Sequence, residues 1–530
     1  MFHHAPGPGA GSRARLTDPE PCTPRAARWV LAASTLGSSM AFIDGSVVSV
    51  ALPVLQRDLG ASVAAAQWIV EAYALFLASL VLVGGAMADR YGRRRIFAAG
   101  TVVFSAASLG CAVAPSTAVL VAARALQGIG ASLLVPSSLA LLGAAFTPET
   151  RGRAVGTWSA LTSLATAIGP ALGGWLVQAI SWRAVFVVNL PIGATVLWIA
   201  ARRVPETRQR AARRVDAAGG ALATAGLGAL VFGLIEAPTA GIASPRFWAA
   251  VGDGVVLLFA FVAHEHRTRE PMLPLSLFRH RTFAAANALT LFLYTGLAGL
   301  FFILPFVLIQ ARGQTPAAAG AALLPLVVIV ASLSRASGAL ADRLGPRIPL
   351  TLGPVICAAG FALAAVLAPH RSYAASLLPA LVVLGLGLAA TIAPLTTSIL
   401  NSVEAKQQGT ASGISNAIAR LATLFAIALI GIVGSATFNR ALDRRLDADR
   451  ISAAVRRRLD PQRPMLGAMK PPGEASPAER RSIDEGIADG LEATFRAVAL
   501  GGAGLAIVGA ACGAMSGTAA SRSGKPSRPS

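Results

Sequence analysis

Fourteen runs of apolar residues, most of them twenty or longer, dominate this chain and limit what it can fold into. A bilayer core takes about 20 apolar residues as helix. Inside hydrocarbon every backbone N–H and C=O needs an internal partner, which leaves α-helices and closed β-barrels. The runs are continuous rather than alternating, so a barrel is excluded. They fall at about 29–54, 66–88, 96–114, 118–145, 153–178 and 184–201, then 217–236 and 247–264, then 283–309, 317–341, 349–368, 373–399, 410–436 and 491–515. The expected class is an all-α membrane protein. Only 13% of residues are charged, against roughly 25% in soluble proteins. The net charge of +21 would suit a nucleic-acid binder, but the arginines gather in alternate loops rather than on one soluble face. The bilayer is therefore the expected partner, and nucleic acid is not. Basic residues concentrate on the cytoplasmic side of membrane proteins. Both termini are thus expected in the cytoplasm, with the long loop 437–490 outside the cell membrane.

One motif occurs twice. Gly84-Gly85-Ala86-Met87-Ala88-Asp89-Arg90-Tyr91-Gly92-Arg93-Arg94-Arg95 follows the second run, and Gly338-Ala339-Leu340-Ala341-Asp342-Arg343-Leu344-Gly345-Pro346-Arg347 follows the tenth. Gly85 and Asp89 share a helix face, and the small glycine is expected to let a neighbouring helix approach. Asp89 at a helix C-terminus needs a cation or a helix N-terminus as partner. Gly92 permits a reversal. The copies lie eight runs apart, two more than two six-helix halves require. The surplus is the pair 217–236 and 247–264. Two parallel halves with an inserted pair is the expected plan. The boundaries are a tail 1–28, a first bundle 29–201, an insert with basic connectors 202–282, a second bundle 283–515 containing loop 437–490, and a tail 516–530. Within the loop, 442–459 reads as a surface helix and 461–477 as disordered.

Further motifs stand in order on the first six runs. The first carries Asp44-Gly45-Ser46-Val47-Val48-Ser49-Val50-Ala51-Leu52-Pro53, the second Trp68 and Tyr73, and the fourth Arg124-Ala125-Leu126-Gln127-Gly128-Ile129-Gly130. The fifth carries Gly169-Pro170-Ala171-Leu172-Gly173-Gly174, and the sixth Trp182-Arg183 with Phe186, Asn189, Pro191 and Gly193. With the doubled loop motif, these resemble the fourteen-span drug:proton antiporter branch of the major facilitator superfamily. Ser46 and Ser49 stand where that branch has Thr and Asn, and Ala165 where it has Gly. The resemblance implies two bundles rocking about a midplane cavity. It assigns Gly85, Asp89, Arg90, Gly92, Arg93 and Arg94, with Asp342 and Arg343, to a gating loop. It also makes Gly169, Pro170, Gly173 and Gly174 an antiporter seal.

Ionisable groups within a bilayer cost at least about 2.5–3.5 kcal/mol each, so they pair or face the protein interior. Asp44, Glu71 and Arg124 fall at similar depth on three runs of the first bundle, within roughly 10–15 Å of the outer surface. They are the candidates for proton coupling. If Arg124 pairs with Asp44, Glu71 is the freer proton carrier; if not, Asp44 carries the proton and Arg124 tunes it. Arg335 is read as snorkelling inward. Asn416 and Arg420 on the thirteenth run, and Asn189 on the sixth, line a cavity or pack helices.

The expected function is proton-driven export of small lipophilic or amphipathic compounds, such as drugs or secondary metabolites. An importer of a polar metabolite and a membrane sensor are the alternatives. No Walker-type G-x-x-x-x-G-K-[ST] occurs, so ATP is not the expected drive. No convergent catalytic set is present, and an enzyme is not expected. The four cysteines, Cys22, Cys111, Cys357 and Cys512, have no metal or disulfide spacing. No cofactor or metal is called for. Substrates and protons are the expected small partners.

Overall fold

The computed structural model describes residues 23–516 apart from 209–214, 242, 269–270, 272, 369–371 and 405–406. The side chains of Arg335 and Asp342, and most of both tails, lie outside the described residues. Fourteen helices among the described residues are long and apolar enough to cross a membrane. The first half comprises α1 (Pro24–Leu59), α2 (Val63–Tyr91), α3 (Arg93–Ala112), α4 (Thr117–Ala145), α5 (Pro148–Ala179) and a sixth span broken into α6 (Ala184–Val187) and α7 (Asn189–Arg203). The inserted pair is α8 (Ala217–Ala240) and α9 (Pro245–Arg267). The second half holds α10 (Arg281–Phe306), α11 (Pro316–Ala321) with α12 (Leu324–Leu344), α13 (Arg347–Leu367), α14 (Tyr373–Asn401), α15 (Gln408–Ala448) and, beyond the short α16 (Ala453–Leu459), α17 (Pro477–Met515).

Hydroxyl side chains start many of these helices. Ser62, Ser116, Ser244 and Thr315 each accept a hydrogen bond from the backbone N–H three residues on, at 3.1–3.4 Å. Each thereby satisfies one of the donors that a helix N-terminus leaves free. Ser476 opens α17 with a reciprocal box: it accepts from Glu479 N–H while the Glu479 carboxylate accepts from its own N–H.

Within the first half, α1 packs on α4, α5 and α7, and α4 on α2 and α3; within the second, α17 packs on α10, α13 and α15, and α14 on α12 and α13. The halves meet along α2–α15, α5–α11 and α1–α10. The inserted pair attaches through α8, which packs on both α2 and α15. Leu227, Val231 and Ile235 of α8 fill the groove beside Ala74, Leu75, Ala78, Leu424 and Ala428. Asp216 caps α8, accepting from Gly219 N–H at 2.8 Å, and His264 Nε2, in the last turn of α9, lies 3.0 Å from both its carboxylate oxygens.

Segment 437–490 departs from the sequence reading. Residues 437–448 continue α15, which runs 41 residues, about 62 Å at 1.5 Å per residue and twice the ~30 Å hydrocarbon core. With the 39-residue α17 it forms a helical overhang. Residues 461–477 are ordered, not disordered. A 3-10 helix, Asp460–Ala468, folds back on the bundle with Leu466, Ala468, Met469 and Ala475 buried. This cap touches both halves: Gln56 Nε2 of α1 donates to Met465 O at 2.9 Å, and Gln310, in the π-turn Val307–Ala311 that ends α10, donates to Gln56 Oε1 and Pro53 O at 3.3 Å.

Candidate transport site

Four helices of the first half converge on Asp44. It is fully buried on α1 and forms an ion pair with Arg124 of α4, itself 1% exposed. Its other oxygen accepts from Gln127 Nε2 at 2.8 Å and from Asn189 Nδ2 of α7 at 2.9 Å. Gln127 and Asn189 also donate to Ser108 Oγ of α3, at 2.8 and 3.2 Å. The guanidinium spends its remaining groups well: Nε donates to Ile69 O at 2.9 Å, Nη1 to Gln127 Oε1 at 2.7 Å, and its face lies 4.3 Å from the Tyr73 ring centroid. Tyr73 is fixed in turn by its hydroxyl donating to Ala41 O at 2.9 Å. Both charges are thus matched and hydrogen-bonded, the condition under which a buried pair is tolerated. The open sequence question is answered: Arg124 pairs with Asp44.

Glu71 does not join this network. It is fully buried on α2, and neither carboxylate oxygen has a hydrogen-bond partner among the described residues. One turn before it, Gln67 donates to Ile427 O of α15; one turn after it, Leu75 packs against Leu424 and Ala428. Glu71 therefore stands on the helix that forms the α2–α15 seam between the halves. A carboxylate in such surroundings is stable only as the neutral acid or with a cation brought to it.

The basic loop closes on itself. Asp89 accepts from Arg93 Nε and Nη2 at 2.9 and 2.8 Å, so the cation it needs comes from its own loop. Gly92 has φ +114°, a conformation suited to glycine, and a Cβ there would stand 2.8 Å from Glu206 Oε1. Glu206, after α7, drew no notice in the sequence. Its carboxylate accepts from Arg94 N–H and Arg95 N–H at 3.0 and 3.1 Å, which caps the positive end of α3. The close helix approach expected of Gly85 belongs to Gly84 instead: a Cβ at Gly84 would lie 2.0 Å from Ser132 O, whereas at Gly85 it would meet only Pro136 Cβ at 3.6 Å. The two differ by 100° around the helix; both meet α4, but only the first is pressed against its backbone. Arg90 is exposed beside the Tyr91 ring, and Arg343 is exposed at the end of α12.

The Gly169–Gly174 stretch is used on two sides. Gly169 and Gly173 face α1, where a Cβ would stand 1.9 Å from Ser46 Oγ and 2.8 Å from Val47 O. Gly174 faces α11 across the boundary between halves, with a Cβ 2.1 Å from Pro316 O, and Gly320 returns the contact at 2.1 Å from Pro170 O. The halves are sealed at this end. Towards the basic end, polar side chains on the spans are exposed instead: Thr157, Ser163 and Thr166 on α5, Thr396 and Thr397 on α14, and Asn416 on α15. All but Ser163 also donate to the carbonyl one turn back on their own helix, at 2.9–3.1 Å. Arg420, one turn beyond Asn416, is half-buried with its guanidinium 5.4 Å from the Phe42 ring centroid.

The span-6 pattern is accounted for side chain by side chain. Trp182 Nε1 and Arg183 donate to Asp58 at the end of α1, at 2.6 and 3.3 Å. Phe186 flanks Arg124 at 6.0 Å, Asn189 holds Asp44, and Gly193 admits Ser105 Oγ. Gln127 and Ser108 are site residues beyond the sequence candidates. Gln127 had a signal in its motif; Ser108, one small hydroxyl in an apolar run, had none.

Two six-span helical bundles packed against each other, with a buried ion pair in the first and an inserted helix pair across one seam, have the architecture of a membrane transporter. The Major Facilitator Superfamily sequence profile matches residues 34–427, and the chain belongs to that family. It is 37% identical over 419 residues, 79% of this chain and 78% of the other, to the multidrug resistance protein Stp of Mycobacterium tuberculosis. It is 34% identical to the methylenomycin A resistance protein of Bacillus subtilis, covering 76% of this chain and 87% of that one. It is 33% identical to the tetracenomycin C resistance and export protein of Streptomyces glaucescens, covering 76% and 75%. Among solved structures, a bacterial homolog of the human lysosomal transporter Spinster, inward-facing and unoccupied, superposes with a TM-score of 0.65 at 17% identity, covering 94% of this chain and all of that one. That likeness supports the fold alone.

Proposed function

We propose that this protein exports small lipophilic or amphipathic compounds across the cytoplasmic membrane in exchange for protons, with both termini and the basic loops in the cytoplasm. The relatives named for drug resistance and export support the direction and the kind of cargo. The observation that carries the mechanism is the contrast between two buried carboxylates: Asp44 is fully satisfied, Glu71 not at all. Asp44 and Arg124 hold α1, α3, α4 and α7 as one body. Glu71 takes a proton from the outside when the outer seal is open, and as the neutral acid lets the α2–α15 seam close around it. Return of the proton to the cytoplasm and uptake of cargo from the inner cavity then favour the opposite state. The 202–282 segment braces the seam, and the 437–490 cap stands outside.

The test is export into inverted vesicles with and without a gradient collapser, alongside equilibrium substrate binding. Glu71→Gln is expected to abolish gradient-driven export and keep binding, while Asp44→Asn chiefly lowers yield and rate. Full proton-driven export by Glu71→Gln would end this reading.

A further inference from the structure

Arg420 is a cation within the described spans that neither the ion pair nor the gating loop explains. It lies twelve residues into α15, about 18 Å along the helix and near the middle of the bilayer. It makes no hydrogen bond or ion pair with any described residue; its guanidinium lies 5.4 Å from the Phe42 ring centroid and within electrostatic reach of Tyr73. A guanidinium at that depth costs several kcal/mol unless water or an anion reaches it. Arg420 is half-buried, on the same face of α15 as the exposed Asn416 one turn towards the basic end. The side-chain amide of Asn416 donates to Ser412 O at 3.0 Å. The other central charges do not offset it. Asp44 is neutralised by Arg124 and shut from the cavity, and Glu71 is enclosed. Arg420 thus presents, among the described residues, a mid-span positive charge with no anionic partner beside the Phe42 and Tyr73 rings.

We propose that Arg420 and Phe42 form the cargo subsite for an aromatic anion, a planar ring bearing a carboxylate, sulfonate or phenolate. The planar fork of arginine meets such a group through paired, charge-assisted hydrogen bonds, while the ring of the cargo packs on Phe42. A lipid phosphate carries the same charge, but its place is the headgroup layer, about 15 Å away. This assignment rests on the export reading for its biological meaning and on binding alone for its test.

The full-length protein is titrated in zwitterionic nanodiscs with 1-anilinonaphthalene-8-sulfonate as the aromatic anion and ethidium as the aromatic cation. The wild type is expected to prefer the anion, with excess inorganic phosphate and added anionic lipid failing to displace it. Arg420→Gln should weaken the anion about tenfold or more, the loss that one charge-assisted contact predicts, and shift preference towards ethidium. Arg420→Lys should fall between. Arg457→Gln, which removes the same charge from the exposed face of the cap, should match the wild type. Thermal unfolding checks that each variant is folded. Equal anion affinity in wild type and Arg420→Gln, a wild-type preference for ethidium, or displacement by anionic lipid or phosphate would overturn the subsite. Charge selectivity without proton-driven export would sink only the export reading; export without charge selectivity would sink only this one.

Discussion

At the scale of single residues, the protein separates two carboxylates that a sequence can only place at similar depth. Depth follows from counting along a helix; partnership depends on which face each residue takes when four helices meet. That is why the sequence places Asp44, Glu71 and Arg124 at one depth, and why it leaves open whether Arg124 pairs with Asp44. Removing one member of a buried ion pair strands the other, at a cost of about 3–5 kcal/mol, whereas removing both is often nearly neutral. Asp44→Ala and Arg124→Met should therefore each unfold at markedly lower temperature in detergent, and the double variant should recover most of the loss. Additive losses would mean that the pair holds the half together by something other than charge matching. Glu71→Gln, which strands no partner, should stay within about 1 kcal/mol of the wild type by the same measurement.

At the scale of elements, the seal between the halves is backbone against backbone. Gly174 and Gly320 each leave space for the opposing carbonyl, and a Cβ at either would sit 2.1 Å from it. Gly174→Val should thus disfavour the sealed state by about 1–3 kcal/mol, the usual penalty of overpacking. A spin-label distance between Arg57 on α1 and Gln314 beyond α10 should lengthen, and one unchanged would remove the seal from this place. The sequence marked the glycines but not their second neighbour, because α11 lies about 145 residues away and in the other half. The cap was misread for a related reason. Its charges suggested a solvated chain, yet they tie α15 to α17: Arg445 pairs with Glu485, and the Asp449 carboxylate accepts from Ser482 Oγ at 2.6 Å and, within its own turn, from Arg445 Nε at 3.0 Å. These bonds, the Ser482 one foremost, hold Asp449 below the usual carboxylate range. A lowered acid contributes stability that is full above its unfolded value of about 3.9 and is lost as pH falls through the folded one. Hydrogen exchange across 449–482, corrected for intrinsic rate, should then be alike at about pH 7 and 5. Ser482→Ala should raise it at both.

At the scale of the whole molecule, the number of spans, the doubled motif and the insertion of a pair between halves were all readable, since each is a matter of order along the chain. The docking of the inserted pair was not. Span α8 is apolar around its whole circumference, and in lipid such a helix shows no preferred face. Its place emerges only from the small residues it meets: Gly220 and Gly228 approach Val83 and Leu75, and Thr224 donates to Ser79 Oγ at 2.8 Å. A transporter of two bundles has two flanks through which a compound dissolved in the inner leaflet can slip sideways into the cavity. Here α8 stands across the flank made by α2 and α15. The flank made by α5 and α12 keeps its exposed Leu161, Leu164 and Leu333. One-sided traffic from the membrane is the prediction. A lipophilic photolabel should mark α5 and α12 and spare α2 and α15, and a bulky substitution at Leu164 should slow export of membrane-soluble cargo while leaving water-soluble cargo its own way in.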